Sequence, residues 1–182
     1  MGLRTIRKIL GTILYFLGIF VAAWLIVHFV AQRTVVDGPS METTLLYDGD
    51  NLIIDKISYR FEDPKRFDII VFPFQYKENT FYIKRIIGLL GETVSITENG
   101  IIMINGEPLQ ESYGKEVIRD PGMAKDPITL SDGEYFVLGD NRNNSSDSRD
   151  PSVGIIKRSD IVGRAFMRLY PFDRIGFLNK NA

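Results

Sequence analysis

The chain has 182 residues, 45% of them hydrophobic, and a formal net charge of −1, which fits one modest globular domain once the apolar N-terminus is set aside. Nearly balanced charge with no long basic run leaves no electrostatic footprint for nucleic acid, so that partner is excluded. The absence of cysteine removes disulfides, thiol catalysis and thiolate metal sites together. The only histidine, His28, lies inside an apolar segment, so the part beyond it can build neither a Ser-His-Asp triad nor a histidine-ligated zinc site. A hydrolase made from this chain must take its base from a lysine or a carboxylate.

Residues 9–31, ILGTILYFLGIFVAAWLIVHFVA, carry no charge and as a helix would rise about 30 Å or slightly more, enough to cross a bilayer. A cleaved signal peptide has a shorter apolar region, of about 7–15 residues, so an uncleaved anchor is expected. Arg4, Arg7 and Lys8 precede the span and only Arg33 follows it closely. That bias places residues 1–8 in the cytoplasm and residues 32–182 outside it. Short β-like runs follow at Leu52-Ile53-Ile54, at Ile69-Ile70-Val71-Phe72 and from Phe81 to Ile87. Asn99-Gly100 and Asn105-Gly106 stand between apolar runs and supply the positive φ angles that tight hairpins need. Residues 110–133 are rich in charge, Gly and Pro and read as an exposed loop or small excursion, with residues around 95–133 either a projecting subdomain or a loop. Tyr135–Leu138 and Ile161–Leu169 complete the strands. The expected fold is mainly β: one largely antiparallel domain behind one N-terminal transmembrane helix.

Three stretches carry candidate chemistry. In Gly38-Pro39-Ser40-Met41, Gly38 allows close approach of a ligand and Pro39 stiffens the backbone. The Ser40 N–H is then free to face a developing oxyanion. The alternative is a serine that only caps a turn. In Phe81–Ile87, strand alternation puts Lys84 on one face with Tyr82 and Ile86. Neutralising a lysine of pKa about 10.4 at pH 7 costs roughly 4–5 kcal/mol, which desolvation in an apolar site can supply, and such an amine is a competent general base. Otherwise Lys84 is a strand lysine whose head snorkels to water. Arg85, on the other face, is expected to pair with a carboxylate. The loop from Gly139 to Arg149 holds Asp140, Arg142, Asp147 and Arg149, which can form a buried ion-pair lattice or remain a solvated turn. Calcium is a rival occupant, but the EF-hand spacing is absent and the arginines oppose a cation, so no metal is expected.

Together these stretches resemble the bacterial type I signal peptidases, membrane-anchored Ser/Lys peptidases that remove signal peptides from exported proteins. The resemblance rests on the N-terminal anchor; on Gly38-Pro39-Ser40-Met41 with Leu45 and Gly49-Asp50; on Tyr82-Ile83-Lys84-Arg85-Ile86-Ile87-Gly88 with Gly91-Glu92; and on Gly139-Asp140-Asn141-Arg142 continuing to Asn144-Ser145 and Asp147-Ser148-Arg149. It implies that Ser40 is the nucleophile and Lys84 the general base. It implies also that Ser145 hydrogen-bonds and orients the lysine, and that Asp140, Arg142, Asp147 and Arg149 hold the loop against the site. The family's oxyanion hole uses the nucleophile's own N–H and, in some members, a serine hydroxyl two residues upstream. Here Gly38 stands there, so a backbone group or water must replace that donor. Thr43 and Leu90 replace usual prolines, and Asn143 replaces a common Asp.

The family binds substrate as an extended strand with shallow pockets for small residues at the first and third positions before the cut. The runs flanking Ser40 and Lys84 are the expected walls. Phe72-Pro73-Phe74 is either core or apolar surface that dips into the outer leaflet. The implied partners are signal peptides of exported preproteins and membrane lipid, with a monomer and no cofactor. Two rival functions remain at this point: a catalytically silent relative that binds exported chains or an assembly partner, and a Ser/Lys relative that cuts itself or one dedicated partner.

Overall fold

A computed structural model describes residues 2–25, 31–45 and 49–178. Helix α1 spans Leu3–Leu25. Its large apolar side chains, among them Ile13, Phe16, Phe20 and Trp24, are exposed. The helix is long and apolar enough to cross a membrane, and none of its apolar window is buried within the protein. Residues 26–30, with His28, lie outside the described residues, and Ala31, the last residue of the expected span, opens a strand.

The main sheet contains β1 (Ala31–Val35), β2 (Asn51–Asp55), β3 (Ile69–Pro73), β4 (Phe81–Gly88), β9 (Glu134–Leu138), β10 (Ile156–Lys157), β11 (Gly163–Tyr170) and β12 (Gly176–Phe177). Its order is β1-β2-β11-β3-β4-β9-β10, with β12 on β11, and every pair is antiparallel. Burial follows position in that order. In β2 only Leu52 and Ile54 are buried, the alternation of a strand with one face on the core. In β3 all of Ile69–Phe72 is buried, which explains why that run is continuously apolar.

The smaller sheet, ordered β7-β6-β5-β8, takes β5 (Thr93–Ile96), β6 (Ile102–Ile104), β7 (Glu107–Pro108) and β8 (Ile128–Thr129). At the β6–β7 hairpin Asn105 has φ 52° and Gly106 φ 85°, the two left-handed residues of a type I′ turn. Residues 110–133, expected as an exposed loop, contribute β8 and a 3-10 turn over Gly122–Lys125. They also bury Ile118, Ala124 and Leu130 in a core shared with Ile87 and Phe136 of the main sheet. Single apolar residues among polar ones carry no periodicity, so neither this packing nor the two-residue strands show in the sequence.

Candidate active site

Three connections converge on one place. After β1, Pro39–Met41 forms a 3-10 turn with the proline in its first positions. Met41 and Leu45 are sunk into the core and anchor the turn, leaving Ser40 half-buried at a groove. Lys84 enters from the middle of β4, and residues 139–150 follow β9, the neighbour of β4. Asn141 ties the first connection to the third: its N–H donates to the Ser40 carbonyl at 3.0 Å, and its Nδ2 donates to the Pro39 carbonyl at 3.1 Å.

Nζ of Lys84 lies 2.7 Å from Oγ of Ser40 and 3.1 Å from the Ile83 carbonyl oxygen. Lys84 is only 3% exposed. Burial pushes its amine down to about 8, against the opposing fields of Asp147 and Asp140. The Tyr82 ring lies 4.9 Å from Nζ and stacks on Phe74 at 4.6 Å, so an aromatic wall supplies part of the dry environment. Phe72, from the run that was open to either reading, is core; Pro73 is exposed and Phe74 half-buried. A hydroxyl at hydrogen-bond distance from a neutral amine can hand its own proton to that amine.

The loop after β9 holds its four charged residues differently from a lattice closed within itself. Asp140 is fully buried and takes a bidentate bond from Arg85, at 2.8 Å from Nε and 2.7 Å from Nη2. It also accepts from the Thr44 hydroxyl at 2.5 Å. Arg142 reaches out of the loop to Glu111 at 2.9 Å. Asp147 and Arg149 do pair with each other, at 2.8 and 2.9 Å. Asp147 further accepts the Gly139 N–H at 3.0 Å, and Arg149 donates to the Arg142 carbonyl at 2.5 Å.

One expected detail differs. Ser145 makes no hydrogen bond to Lys84. Its Oγ is shut off from solvent without a partner among the described residues, while the amine's contacts go to Ser40 and Ile83. The Ser145 side chain packs instead over Gly139, where a Cβ would fall 2.2 Å from Oγ and 2.5 Å from the Ser40 carbonyl oxygen. Gly139 is therefore a site residue that sequence reasoning did not single out, and its want of a side chain is what lets loop and nucleophile turn close up. At Gly38 a Cβ would meet nothing within 4 Å. The backbone there has φ 107° and ψ 150°, however, a region held almost only by glycine. There is room for a side-chain donor at Gly38 but no backbone to carry one.

Comparison with known proteins identifies the family. A family model described as signal peptidase, peptidase S26, matches residues 9–170. The chain belongs to the signal peptidase family S26. It is 42% identical over 159 residues to a probable signal peptidase I-2 of Synechocystis, covering 85% of this chain and 70% of that one. It is 43% identical over 157 residues to a signal peptidase I of Leptolyngbya laminosa, covering 82% and 74%. A signal peptidase I P of Bacillus subtilis subsp. natto is 36% identical over 162 residues, covering 85% of each.

In this signal peptidase a strap over residues 111–119 also braces the site. The Tyr113 ring lies 3.6 Å from the Arg85 guanidinium carbon, so the buried cation has a carboxylate in its plane and an aromatic face above it. Glu111 pairs with Arg142, Lys115 with Glu42 at 3.0 Å, and Asn143 exchanges two hydrogen bonds with the backbone of Val117 and Arg119. Nothing in the spacing of these residues announces the contacts. Asn141 and Gly139 stand in the motif that carries the family resemblance, but that motif by itself assigns them none of these contacts.

Proposed function

We propose that Ser40 is the nucleophile and Lys84 the general base of this signal peptidase, a membrane-anchored serine protease that removes signal peptides from exported preproteins. The observation that carries the assignment is the desolvated Lys84 amine 2.7 Å from the Ser40 hydroxyl. With the amine neutral, Oγ–H donates its proton to Nζ as Oγ attacks the scissile carbonyl. The ammonium so formed delivers the proton to the departing amine, leaving an acyl-enzyme. The neutral lysine then takes a proton from water, whose oxygen attacks the ester, and returns that proton to Oγ as the ester C–O bond breaks and frees Ser40. Asp147 and Asp140 hold the transient ammonium favourably, while burial brings the amine down to about 8, so that the neutral base becomes accessible just above neutrality. The Ser40 N–H serves the oxyanion, and a water or backbone group beside Gly38 supplies the second donor.

Substrate enters along a groove of about 450 Å³ between residues 34–41, residues 81–84 and residues 143–146. The ladder between β4 and β9 begins only at Arg85, so on that side Phe81–Lys84 offers a strand edge that an extended chain can join. The helix anchors the enzyme in the bacterial cell membrane with Arg4, Arg7 and Lys8 on the cytoplasmic side and the β domain on the outer face. A catalytically silent binder has no use for a lysine stripped of water against a serine. Ser40→Ala and Lys84→Ala are each expected to lower preprotein cleavage by at least about a thousandfold while the near-UV circular dichroism of the folded domain stays unchanged. Cleavage at the parent rate by either purified variant would refute the dyad.

A further inference from the structure

Among the described residues, the groove that holds Ser40 and Lys84 bears one other charged side chain, Asp37. Lys84 is buried, so the charge an incoming peptide meets at the groove surface is that of Asp37. This residue is exposed, and among the described residues no hydrogen bond or ion pair engages its carboxylate. The cation nearest in sequence, Arg33, is occupied with Asn51 across the β1–β2 pair. The same groove also carries an unusual apolar element: Phe81, at the start of β4, is 54% exposed. A free carboxylate and an open aromatic face in one groove complement a side chain with an aliphatic stem and a cationic tip. The stem packs on the ring, and the tip is drawn both to the ring face and to the carboxylate.

The position along the substrate follows from the course of the groove. Its walls, residues 34–40 and 81–84, both run up to the dyad. A peptide paired with the free edge of β4 therefore lays the residues leading to the scissile carbonyl along those walls. We infer that Asp37 and Phe81 form a specificity subsite that selects a lysine or arginine among the substrate residues preceding the cut and disfavours an acidic one. This rests on the groove being the substrate channel of the proposed dyad. An exposed pair of this kind discriminates modestly and through solvent, so the preference is graded and sensitive to salt.

The test uses the detergent-solubilised full chain and a synthetic signal-peptide substrate in which positions two to five before the cut are set in turn to Lys, norleucine and Glu. At one position kcat/KM for Lys over Glu is expected to be about three- to tenfold at low ionic strength and to approach unity near 1 M salt. Asp37→Asn brings that ratio close to one and Asp37→Lys inverts it. Phe81→Ala lowers the Lys-to-norleucine ratio at the same position about twofold. Each ratio is read within one enzyme, so a change in turnover does not mimic the effect. An unchanged Lys-to-Glu ratio in Asp37→Asn at every position, or no preference in the parent, would overturn the subsite. Failure of the dyad reading would appear separately, as cleavage that survives Ser40→Ala.

Discussion

A lysine amine has to shed about three pH units of basicity to act as a base near neutrality, and the position of Lys84 supplies most of that. Burial lowers its pKa from 10.5 to about 8, equivalent to about 3 kcal/mol taken from the ammonium relative to the free amine. The sign of the pH dependence follows. Below about pH 8 the ammonium predominates and cannot accept the Ser40 proton, and above it the neutral amine predominates. The kcat/KM of the free enzyme is therefore expected to rise with pH through an inflection near 8, and a profile flat from pH 6 to 10 would contradict Lys84 as base. Gly38 makes a second demand at this scale. Its conformation, φ 107° and ψ 150°, costs an L residue roughly 1–3 kcal/mol. Gly38→Ser is accordingly expected to lower kcat several-fold even though it introduces a hydroxyl donor, by tilting the turn that presents Ser40. Peptide-cleavage kinetics check this, and a gain in kcat would mean that the hydroxyl reaches the oxyanion despite the strain.

Among the elements, the strap over residues 111–119 bears the most on the site. Its contacts fall into two energetic classes set by solvent. Glu111 and Arg142 are 11% and 3% exposed at their side chains, so deleting the carboxylate leaves a buried guanidinium without its counter-charge. Glu111→Ala is expected to destabilise the domain by about 2–4 kcal/mol. Lys115 and Glu42 are 42% and 31% exposed, and water screens their attraction. Lys115→Ala is expected to cost no more than about 1 kcal/mol. Urea unfolding of the solubilised chain followed by tryptophan-independent near-UV dichroism measures both. Equal losses would show that the strap is held by something other than the buried pair. The 3-10 turn at Pro39–Met41 is governed by the same logic: its apolar anchor Met41 sits in the core, and its polar backbone is satisfied by Asn141.

At the scale of the whole molecule, the apolar helix and the β domain answer to different solvents. The side chains of α1 from Arg4 to Leu25 are exposed, an arrangement stable only where hydrocarbon replaces water. The basic residues at its start, Arg4, Arg7 and Lys8, support the proposed direction by the positive-inside bias. Protease added outside spheroplasts is expected to digest an epitope placed in the β domain and to spare one at the N-terminus. Digestion of the N-terminal epitope alone would reverse the orientation.

The parts legible in the sequence are those encoded by neighbours along the chain. The membrane-length run, the short apolar runs of β2 and β3 and the Asn105-Gly106 turn depend on local pattern, elimination of histidine and cysteine narrowed the choice of base, and the pairing of Ser40 with Lys84 came with the family resemblance. The tertiary structure decided which partner each polar group takes. Asp140 could have met Arg142, Arg149 or Arg85, and it takes Arg85, 55 positions away, because β4 and β9 are adjacent strands. Glu111, Tyr113 and Asn141 became parts of the site only when the chain folded back over the loop. Ser145 shows the limit most plainly: the family resemblance implied a bond to Lys84, and the packing against Gly139 set its side chain elsewhere. Like charges and hydroxyls are interchangeable in a string of letters. Burial and strand order make them distinct, because a desolvated polar group stabilises the fold only with the one partner that geometry brings within reach.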